Sequence, residues 1–362
     1  MSTYFIQGYF AKNLEDDLMI EILASKIKEY DKDPSIVKIK GKCDKIKILF
    51  SLDFFVRIGG SLYQEFPNNN SRASCRYFYR LEQLFNTFKI FRREKTKIVL
   101  INNSIGPIFS EDFERELIQL FKLADFISVR DKFSFEFLTS RGINAVYAPD
   151  IVFLLNDDLH KLGISRIPST ERIIGLSLLP FQRLYYGDST KQNLINSTFA
   201  KFLSLILSTY EEIQVHFFEF CKNEGDRENF NEVINNIGQR FREKISIISY
   251  NGDISNFLRE MSKCTFFICN RFHSIILSII LGIPFIAINH HPKVHNFLRD
   301  IGLEDYEIDV ERVLDLNFVD DLVSFVLSDN KPRLSPQQIA ILSNEALNNF
   351  KWLEHVQNYK FS

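Results

Sequence analysis

Short apolar runs alternate with longer amphipathic segments along the first half of the chain. Apolar runs of strand length predict β-strands at Tyr4 to Phe10, Lys47 to Phe50, Phe54 to Ile58, Lys97 to Ile101 and Phe126 to Val129. Helical spacing of apolar residues predicts helices at Leu14 to Tyr30, Glu111 to Leu123 and Phe133 to Arg141. Strands that alternate with helices indicate an α/β fold with a mostly parallel sheet.

A second alternating series follows a polar segment over residues 156–170. The series begins with the apolar run Arg172 to Leu179, and its further predicted strands are Gln214 to Phe220, Ile245 to Tyr250, Cys264 to Cys269 and Ile283 to Ile288. Its predicted helices are Gln192 to Tyr210, Asp226 to Gly238, Asp253 to Ser262 and Ser274 to Leu281. After Asn317 the pattern is helical again, and apolar residues from Ser335 to Tyr359 recur near helical spacing.

These two series predict two Rossmann-like α/β domains that face each other across a cleft. We place the amino-terminal domain at residues 1–160 and the carboxyl-terminal domain at residues 170–330. A final helix at residues 335–360 is expected to pack across the domains. No internal repeat is visible in the sequence.

Composition narrows the function classes. The chain has 362 residues, is 45% hydrophobic and 25% charged, and carries a formal net charge of −2, so it has length for two domains and no electrostatic reason to bind nucleic acid. Five cysteines without a C-x-x-C pair are interpreted as reduced core thiols, which argues against a thiolate metal site. Without a signal peptide or an apolar stretch of transmembrane length, we expect a cytoplasmic protein.

The segment Asn270-Arg271-Phe272-His273 lies between a predicted buried strand and an apolar helix. In a parallel sheet this loop lies at the carboxyl end of the strands, where open α/β folds bind ligands. Alone, each residue fits a structural role as well as a functional one. Together, an arginine fork for carboxylate or phosphate and a histidine that can transfer a proton indicate a site for an anionic substrate.

Three further strand ends lie in the first domain. Gly59-Gly60-Ser61 and Ser104-Ile105-Gly106-Pro107 are turns that allow close backbone approach, and Ser128-Val129-Arg130-Asp131 leads into a helix that carries Ser134. Each is weak by itself, because Asp131 could simply cap the helix and Arg130 could simply pair with it. The glycines match neither G-x-G-x-x-G nor the P-loop, so we expect no dinucleotide or ATP site.

In these motifs the chain resembles the polysaccharide pyruvyl transferase family. The resemblance runs from Asn13 to Lys293 and also includes Pro149-Asp150 and Gly282-Ile283-Pro284; Asn270-Arg271-Phe272-His273 is its most specific part. It implies a GT-B-like fold and transfer of a pyruvyl group from phosphoenolpyruvate to two hydroxyls of a sugar, which forms a ketal. No metal or further cofactor is implied.

The resemblance also implies site residues. Arg130, Arg271 and His273 would contact the donor and carry catalysis, with His273 as general acid. We expect the substrates to be bound by Asn270, Phe272, Gly59, Gly60, Ser61, Ser104, Gly106, Lys293, Asp16 and Asp131. The base that activates the sugar hydroxyl stays open among Asp16, Asp17, Glu65, Asp131 and Asp150. The acceptor is expected to be a lipid-linked or nucleotide-linked precursor of a surface glycan, reached at the inner face of the membrane.

The chain departs from the family pattern at Glu15. The family shows Asn-x-Gly-Asp where this chain has Asn13-Leu14-Glu15-Asp16, and a glutamate lacks the backbone freedom of glycine and repels an anion. Two functions other than pyruvyl transfer stay open. One is a GT-B-like glycosyltransferase that uses a nucleotide sugar, with Glu224-Gly225-Asp226 as its candidate ribose site. The other is a catalytically silent carbohydrate-binding relative.

Overall fold

A computed structural model describes residues 2–7, 13–38, 52–59, 63–66, 96–164, 172–315, 317–328 and 333–354. The chain divides into two compact units. Unit 1 comprises residues 1–10, 16–154 and 341–362, and unit 2 comprises residues 11–15 and 155–340. Each unit contains one six-stranded parallel sheet.

The sheet of unit 1 has the strand order β2-β1-β3-β4-β5-β6. These strands are β1 (Thr3–Gln7), β2 (Ser35–Lys38), β3 (Phe54–Ile58), β4 (Lys97–Asn103), β5 (Phe126–Val129) and β6 (Val146–Tyr147). The helices are Leu14–Tyr30, Glu111–Phe121 and Lys132–Thr139, and a 3-10 segment follows at Ile151–Asp157. The core contains apolar residues of β3, β4 and β5 together with those of Glu111–Phe121. Parallel strands are covered on both faces, which is why most of their residues are apolar.

The sheet of unit 2 has the strand order β12-β11-β10-β7-β8-β9. These strands are β7 (Arg172–Leu176), β8 (Ile213–Glu219), β9 (Ile245–Ser249), β10 (Phe266–Cys269), β11 (Phe285–Asn289) and β12 (Glu307–Asp309). The α-helices are Ser189–Thr209, Asp226–Asn235, Ile254–Ser262, Phe272–Ile280, Pro292–Asp300, Val310–Val313, Phe318–Leu327 and Pro336–Ala346. A π-helix at Gln182–Tyr186 follows β7, and 3-10 segments occur at Gln239–Lys244 and Glu304–Tyr306. The helix Pro336–Ala346 continues into unit 1, to which the 3-10 segment Leu347–Phe350 belongs.

The predicted α/β fold with two parallel sheets is confirmed. The strands Phe54–Ile58 and Phe126–Val129 and the helix Leu14–Tyr30 have the predicted bounds. The strand predicted at Lys47 to Phe50 lies outside the described residues. The helix predicted over Ser335 to Tyr359 begins at Pro336 and is interrupted by a 3-10 turn at Leu347–Phe350. Residues 351–354 are helical again, and residues after 354 are outside the described part. Within the described ranges, every helix falls short of the length and apolar character that crossing a bilayer requires.

Candidate functional site

In unit 2, the loop after β10 is fixed by serine hydroxyls. The backbone amides of Asn270 and Arg271 donate to Ser177 Oγ at 3.0 and 3.2 Å, and Ser177 directly follows β7, the neighbour of β10 in the sheet. Ser274 Oγ lies 2.9 Å from Ser177 Oγ and donates to the carbonyl of Arg271. Two adjacent strand ends therefore hold Arg271 at the carboxyl edge of the sheet, as the sequence predicted.

The Arg271 guanidinium is buried between two carboxylates. Its Nε and Nη2 donate to the two carboxylate oxygens of Asp226 at 3.0 and 2.5 Å, and its Nη1 lies 2.8 Å from Glu224 Oε2. Burial lowers the pKa of Arg271, but the charges of Asp226, Glu224 and Glu15 outweigh it and hold this pKa well above its usual range. The site therefore contains a permanent cation in a planar, fixed orientation.

The two carboxylates that hold Arg271 come from the loop after β8. Asp226 is the first residue of the helix Asp226–Asn235 and accepts the amide of Phe220 at 3.1 Å. Its side chain is fully buried, whereas 27% of the Glu224 side chain is exposed. In the alternative interpretation of the sequence these residues formed a ribose site; in the structure their carboxylates pair with Arg271.

His273 faces a carboxylate from the amino-terminal part of the chain. Its Nδ1 lies 3.2 Å from Glu15 Oε2. Glu15 belongs to unit 2, because residues 11–15 group with that unit. The amide of Leu14 donates to the carbonyl of Phe220 at 3.0 Å, and the amide of Glu15 donates to Asn13 Oδ1 at 3.0 Å. The segment is thus attached to the end of β8, beside the residues that hold Arg271.

The electrostatics of Glu15 follow from its neighbours. Burial raises the pKa of Glu15, but the charges of His273, Arg271 and Lys293 outweigh it and hold the pKa well below its usual range. Glu15 is therefore a carboxylate at neutral pH. Its negative charge faces the imidazole of His273 within the same unit.

A second imidazole adjoins Asn270. The Asn270 side chain accepts the amide of Leu179 at 2.8 Å through Oδ1, so its Nδ2 donates to His290 Nδ1 at 3.0 Å. Phe181 stacks on the His290 ring at 3.9 Å between centroids. Burial, with the charges of Lys293 and Arg271, lowers the pKa of His290 to about 3. His290 is thus neutral at physiological pH and carries its proton on Nε2.

Phe272 and Lys293 complete this edge of unit 2. The Phe272 ring packs edge-on against Phe297, and Lys293 Nζ lies 5.5 Å from the centroid of the Phe272 ring. Phe272 also begins the helix Phe272–Ile280, for which Arg271 is the N-cap residue. The start of this helix adds positive potential to the charges of Arg271 and Lys293, and together they favour the binding of an anion.

In unit 1, Arg130 is held at the end of β5. Its Nη1 lies 2.7 Å from Asp150 Oδ2, and its Nε donates to Ser104 Oγ at 2.7 Å. Both charged side chains are buried, and Asp150 also accepts from the side chain of Asn102 at 3.2 Å. The carboxylate that pairs with Arg130 is thus Asp150, whereas the sequence had suggested Asp131.

The other site residues predicted in the first domain lie at a helix cap, in a turn and in the first turn of a helix, or outside the described residues. Asp131 accepts the amide of Ser134 at 2.8 Å and caps the helix Lys132–Thr139, and burial raises its pKa. Gly106 adopts a positive φ of 94°. Asp16 lies, partly buried, in the first turn of Leu14–Tyr30. Gly60 and Ser61 lie outside the described residues.

Gly59 permits a close backbone approach. A Cβ atom at this position would lie 2.1 Å from the carbonyl oxygen of Asn102, and Asn102 itself has a positive φ of 59°. The amide of Gly59 donates to the carbonyl of Ile101 at 2.8 Å. The glycine is therefore required where the ends of β3 and β4 approach each other, whatever its role towards a ligand.

The candidate bases differ in their hydrogen bonding. Glu65 accepts the amides of Phe109 and Ser110 at 2.8 and 2.9 Å and so closes a loop. Asp131 caps a helix, and Asp150 accepts the amide of Val152 at 2.9 Å besides pairing with Arg130. Asp16 and Asp17 lie partly buried at the start of the helix Leu14–Tyr30.

The structure thus brings Asn270, Arg271, Phe272, His273 and Lys293 together in unit 2. Sequence reasoning missed Asp226 as the partner of Arg271, Glu15 as the partner of His273, and His290. A carboxylate at the start of the helix that follows a strand of the same sheet was a signal for Asp226. No local pattern marks Glu15 as the partner of His273, because the two residues are far apart in the chain.

Solved structures share this fold. A Staphylococcus aureus MnaA structure with UDP aligns with a TM-score of 0.60 and 11% identity, over 99% of this chain and 97% of that one. The UDP-GlcNAc 2-epimerase of Neisseria meningitidis aligns with a TM-score of 0.55 and 9% identity, over 99% of this chain and 100% of that one. The UDP-GlcNAc 2-epimerase of Methanocaldococcus jannaschii aligns with a TM-score of 0.56 and 10% identity, over 95% of this chain and 99% of that one. These similarities establish a two-domain α/β fold of the GT-B type and no activity.

The family is shown by the sequence itself. The model of the family described as polysaccharide pyruvyl transferase matches residues 8–292, which include Arg130, Arg271 and His273. The match covers both sheets apart from the first strand and the last. The chain therefore belongs to the polysaccharide pyruvyl transferase family.

Proposed function

We propose that the protein transfers the pyruvyl group of phosphoenolpyruvate to two hydroxyls of a sugar, forms a cyclic ketal and releases phosphate. The observation that carries this proposal is the position of Arg271 and His273 at the carboxyl edge of the unit 2 sheet, where Arg271 ends the loop after β10 and His273 lies in the first turn of the next helix. Family membership supports the reaction class. Phosphoenolpyruvate has two anionic groups, which a fixed cation can bind, and its methylene carbon must accept a proton, which an imidazole can donate.

Arg271 would bind one anionic group of the donor. Asp226 is fully buried and holds the Nε and Nη2 side of the guanidinium, whereas the partly exposed Glu224 faces Nη1. An incoming carboxylate or phosphate would therefore replace Glu224 at Nη1, while Asp226 keeps the fork oriented. Lys293 and the start of the helix Phe272–Ile280 would add positive potential.

In the first half of the reaction, His273 would protonate the methylene carbon of phosphoenolpyruvate. The C=C electron pair forms the new C–H bond, which leaves a methyl group and an oxocarbenium-like centre at the former C2. One sugar hydroxyl attacks that centre and loses its proton to a base. The product is a tetrahedral carbon that carries the carboxylate, the methyl group, the phosphate ester and one sugar oxygen. A positioned general acid typically contributes about a hundred- to ten-thousand-fold.

In the second half, the C–O bond to phosphate breaks and phosphate leaves with the electron pair. A second oxocarbenium-like centre forms, and the second sugar hydroxyl attacks it and releases a proton. Arginine and lysine side chains would stabilise the charge that develops on the departing phosphate. Arg130 of unit 1 is proposed as the second arginine of the donor site, by its place in the family motif.

For the acceptor we propose a lipid-linked or nucleotide-linked sugar of a surface-glycan precursor, which the enzyme would meet on the cytoplasmic side of the membrane. Among similar folds, the epimerase structures from Neisseria meningitidis and Methanocaldococcus jannaschii contain UDP-GlcNAc. A nucleotide-linked acceptor is therefore included in the test.

The test incubates the purified full-length protein with phosphoenolpyruvate and a panel of lipid-linked and nucleotide-linked sugars. Phosphate release is followed together with the mass of the acceptor. We expect phosphate release that depends on the acceptor, and an acceptor that gains one pyruvyl ketal. Glycosyl transfer from a nucleotide sugar without use of phosphoenolpyruvate would overturn the proposal in favour of a glycosyltransferase. Sugar binding without any turnover would favour a silent relative.

A further inference from the structure

Glu15 and His273 form a carboxylate–imidazole pair in which each partner lies at the start of a helix. Glu15 is the second residue of Leu14–Tyr30, and His273 is the second residue of Phe272–Ile280. Glu15 Oε2 lies 3.2 Å from His273 Nδ1, and 17% and 3% of the two side chains are exposed. Hydrogen bonds of the Leu14 and Glu15 amides hold the backbone that carries this carboxylate.

Positive charges near His273 oppose its protonation. Arg271 lies two residues before His273, and Lys293 Nζ lies 5.5 Å from the ring centroid of the intervening Phe272. The start of the helix Phe272–Ile280 adds positive potential. Glu224 and Asp226 direct their carboxylates to Arg271, and neutral His290 directs its Nδ1 to Asn270. The carboxylate of Glu15 faces the imidazole of His273 instead.

The interaction between the two groups is reciprocal. The charge of His273 lowers the pKa of Glu15, so ionised Glu15 must favour the protonated imidazole by the same free energy. An opposite charge within about 4 to 6 Å typically shifts a titration by roughly one to three pH units. A helix start contributes only about 0.3 to 1 kcal/mol per charge. The Glu15 carboxylate therefore favours the protonated form of His273 by more than the start of the helix opposes it.

We propose that Glu15 is a positioning residue that keeps His273 protonated through Nδ1, so that the proton on Nε2 is the one delivered to the substrate. The role of the imidazole as proton donor rests on the proposed function, whereas the charge coupling between the two residues does not. The glutamate that departs from the family pattern then has a defined task. It supplies the countercharge that lets a histidine among cations act as a general acid at neutral pH.

The first experiment follows the histidine ring signals of the full chain by NMR from pH 5 to pH 9 in wild type and in Glu15→Gln, with the His273 signal assigned by its loss in His273→Gln. We expect the His273 titration of Glu15→Gln to move to lower pH by at least roughly one unit. The control is Glu29→Gln on the same helix, an exposed residue paired with Lys26, which should leave the titration unchanged. An unchanged His273 titration in folded Glu15→Gln would overturn the inference.

The second experiment measures kcat against pH with phosphoenolpyruvate and an accepted sugar. Glu15→Gln should lose roughly tenfold or more in kcat at pH 8 and approach wild type as the pH falls. Glu15→Asp, which keeps the negative charge, should retain much of the wild-type kcat at alkaline pH. A loss that is equal at every pH would mean a merely structural role and would reject the inference. If wild type shows no transfer, the proposed function fails, and the NMR titration still decides the coupling.

Discussion

Asp226 holds Arg271 through two parallel hydrogen bonds inside unit 2, and both side chains are almost completely buried. Removal of one member of such a pair leaves the other as an uncompensated buried charge. We therefore predict that Asp226→Ala lowers the free energy of unfolding by about 3 to 5 kcal/mol, measured by urea denaturation.

The matched control is Asp321→Ala. Asp321 pairs with Arg312 on the surface, with both side chains more than half exposed. Such pairs contribute about 0 to 1 kcal/mol, so this variant should unfold close to wild type. A loss in Asp226→Ala no greater than that in Asp321→Ala would contradict the assignment of a buried ion pair.

The second prediction concerns His273. Replacement by glutamine keeps a similar size but cannot protonate carbon, so His273→Gln should lower kcat by about a hundred- to ten-thousand-fold. The KM for phosphoenolpyruvate should change only a few-fold, because Arg271 is retained. His295→Gln is the control, since His295 is half exposed and pairs with Glu307. Activity of His273→Gln within a few-fold of wild type at saturating donor would exclude its role as general acid.

The third prediction concerns the turn after β3. In Gly59→Ala the new Cβ would lie 2.1 Å from the carbonyl oxygen of Asn102, so the ends of β3 and β4 must separate. We expect a loss of about 3 kcal/mol in the free energy of unfolding. Gly238→Ala is the control, because Gly238 has a φ of −55° and its nearest neighbours lie 3.9 Å from the added atom. That variant should match wild type or gain up to about 1 kcal/mol, and equal stabilities of the two variants would refute the prediction.

The fourth prediction concerns pH and His290. Its pKa in the folded protein is lowered to about 3 from an ordinary value of 6.5, so the folded state binds fewer protons than the unfolded state between these values. The stability contributed by neutral His290 is therefore fully present above pH 6.5 and is lost as the pH falls towards 3. The His290 ring signal should stay in its neutral position from pH 8 to pH 5.

The charge of Lys293 is one cause of this shift, after burial. In Lys293→Gln the His290 signal should therefore begin to titrate at a higher pH than in wild type. The same NMR titration measures both proteins, with His290→Gln for assignment. Titration of wild-type His290 near pH 6.5 would show that the ring is open to solvent and would contradict the prediction.

The sequence predicted the central strands of both sheets better than their edges. Phe54–Ile58 and Phe126–Val129 are apolar runs that local pattern defines by itself. The edge strands Ser35–Lys38, Val146–Tyr147 and Glu307–Asp309 were missed. They have two to four residues, and they exist because a neighbouring strand offers its hydrogen-bonding groups, which no local pattern records.

By itself, the sequence determined that this is an α/β protein of the polysaccharide pyruvyl transferase family, with Arg271 and His273 at a strand end. Strand, turn and helix follow one another there, so their order in the chain fixes the geometry. Only the tertiary structure decided which charges these residues face. Asp226 reaches Arg271 across the intervening strand β7, and Glu15 reaches His273 from the amino-terminal segment, because sheet order and backbone hydrogen bonds bring together residues that are distant in the chain.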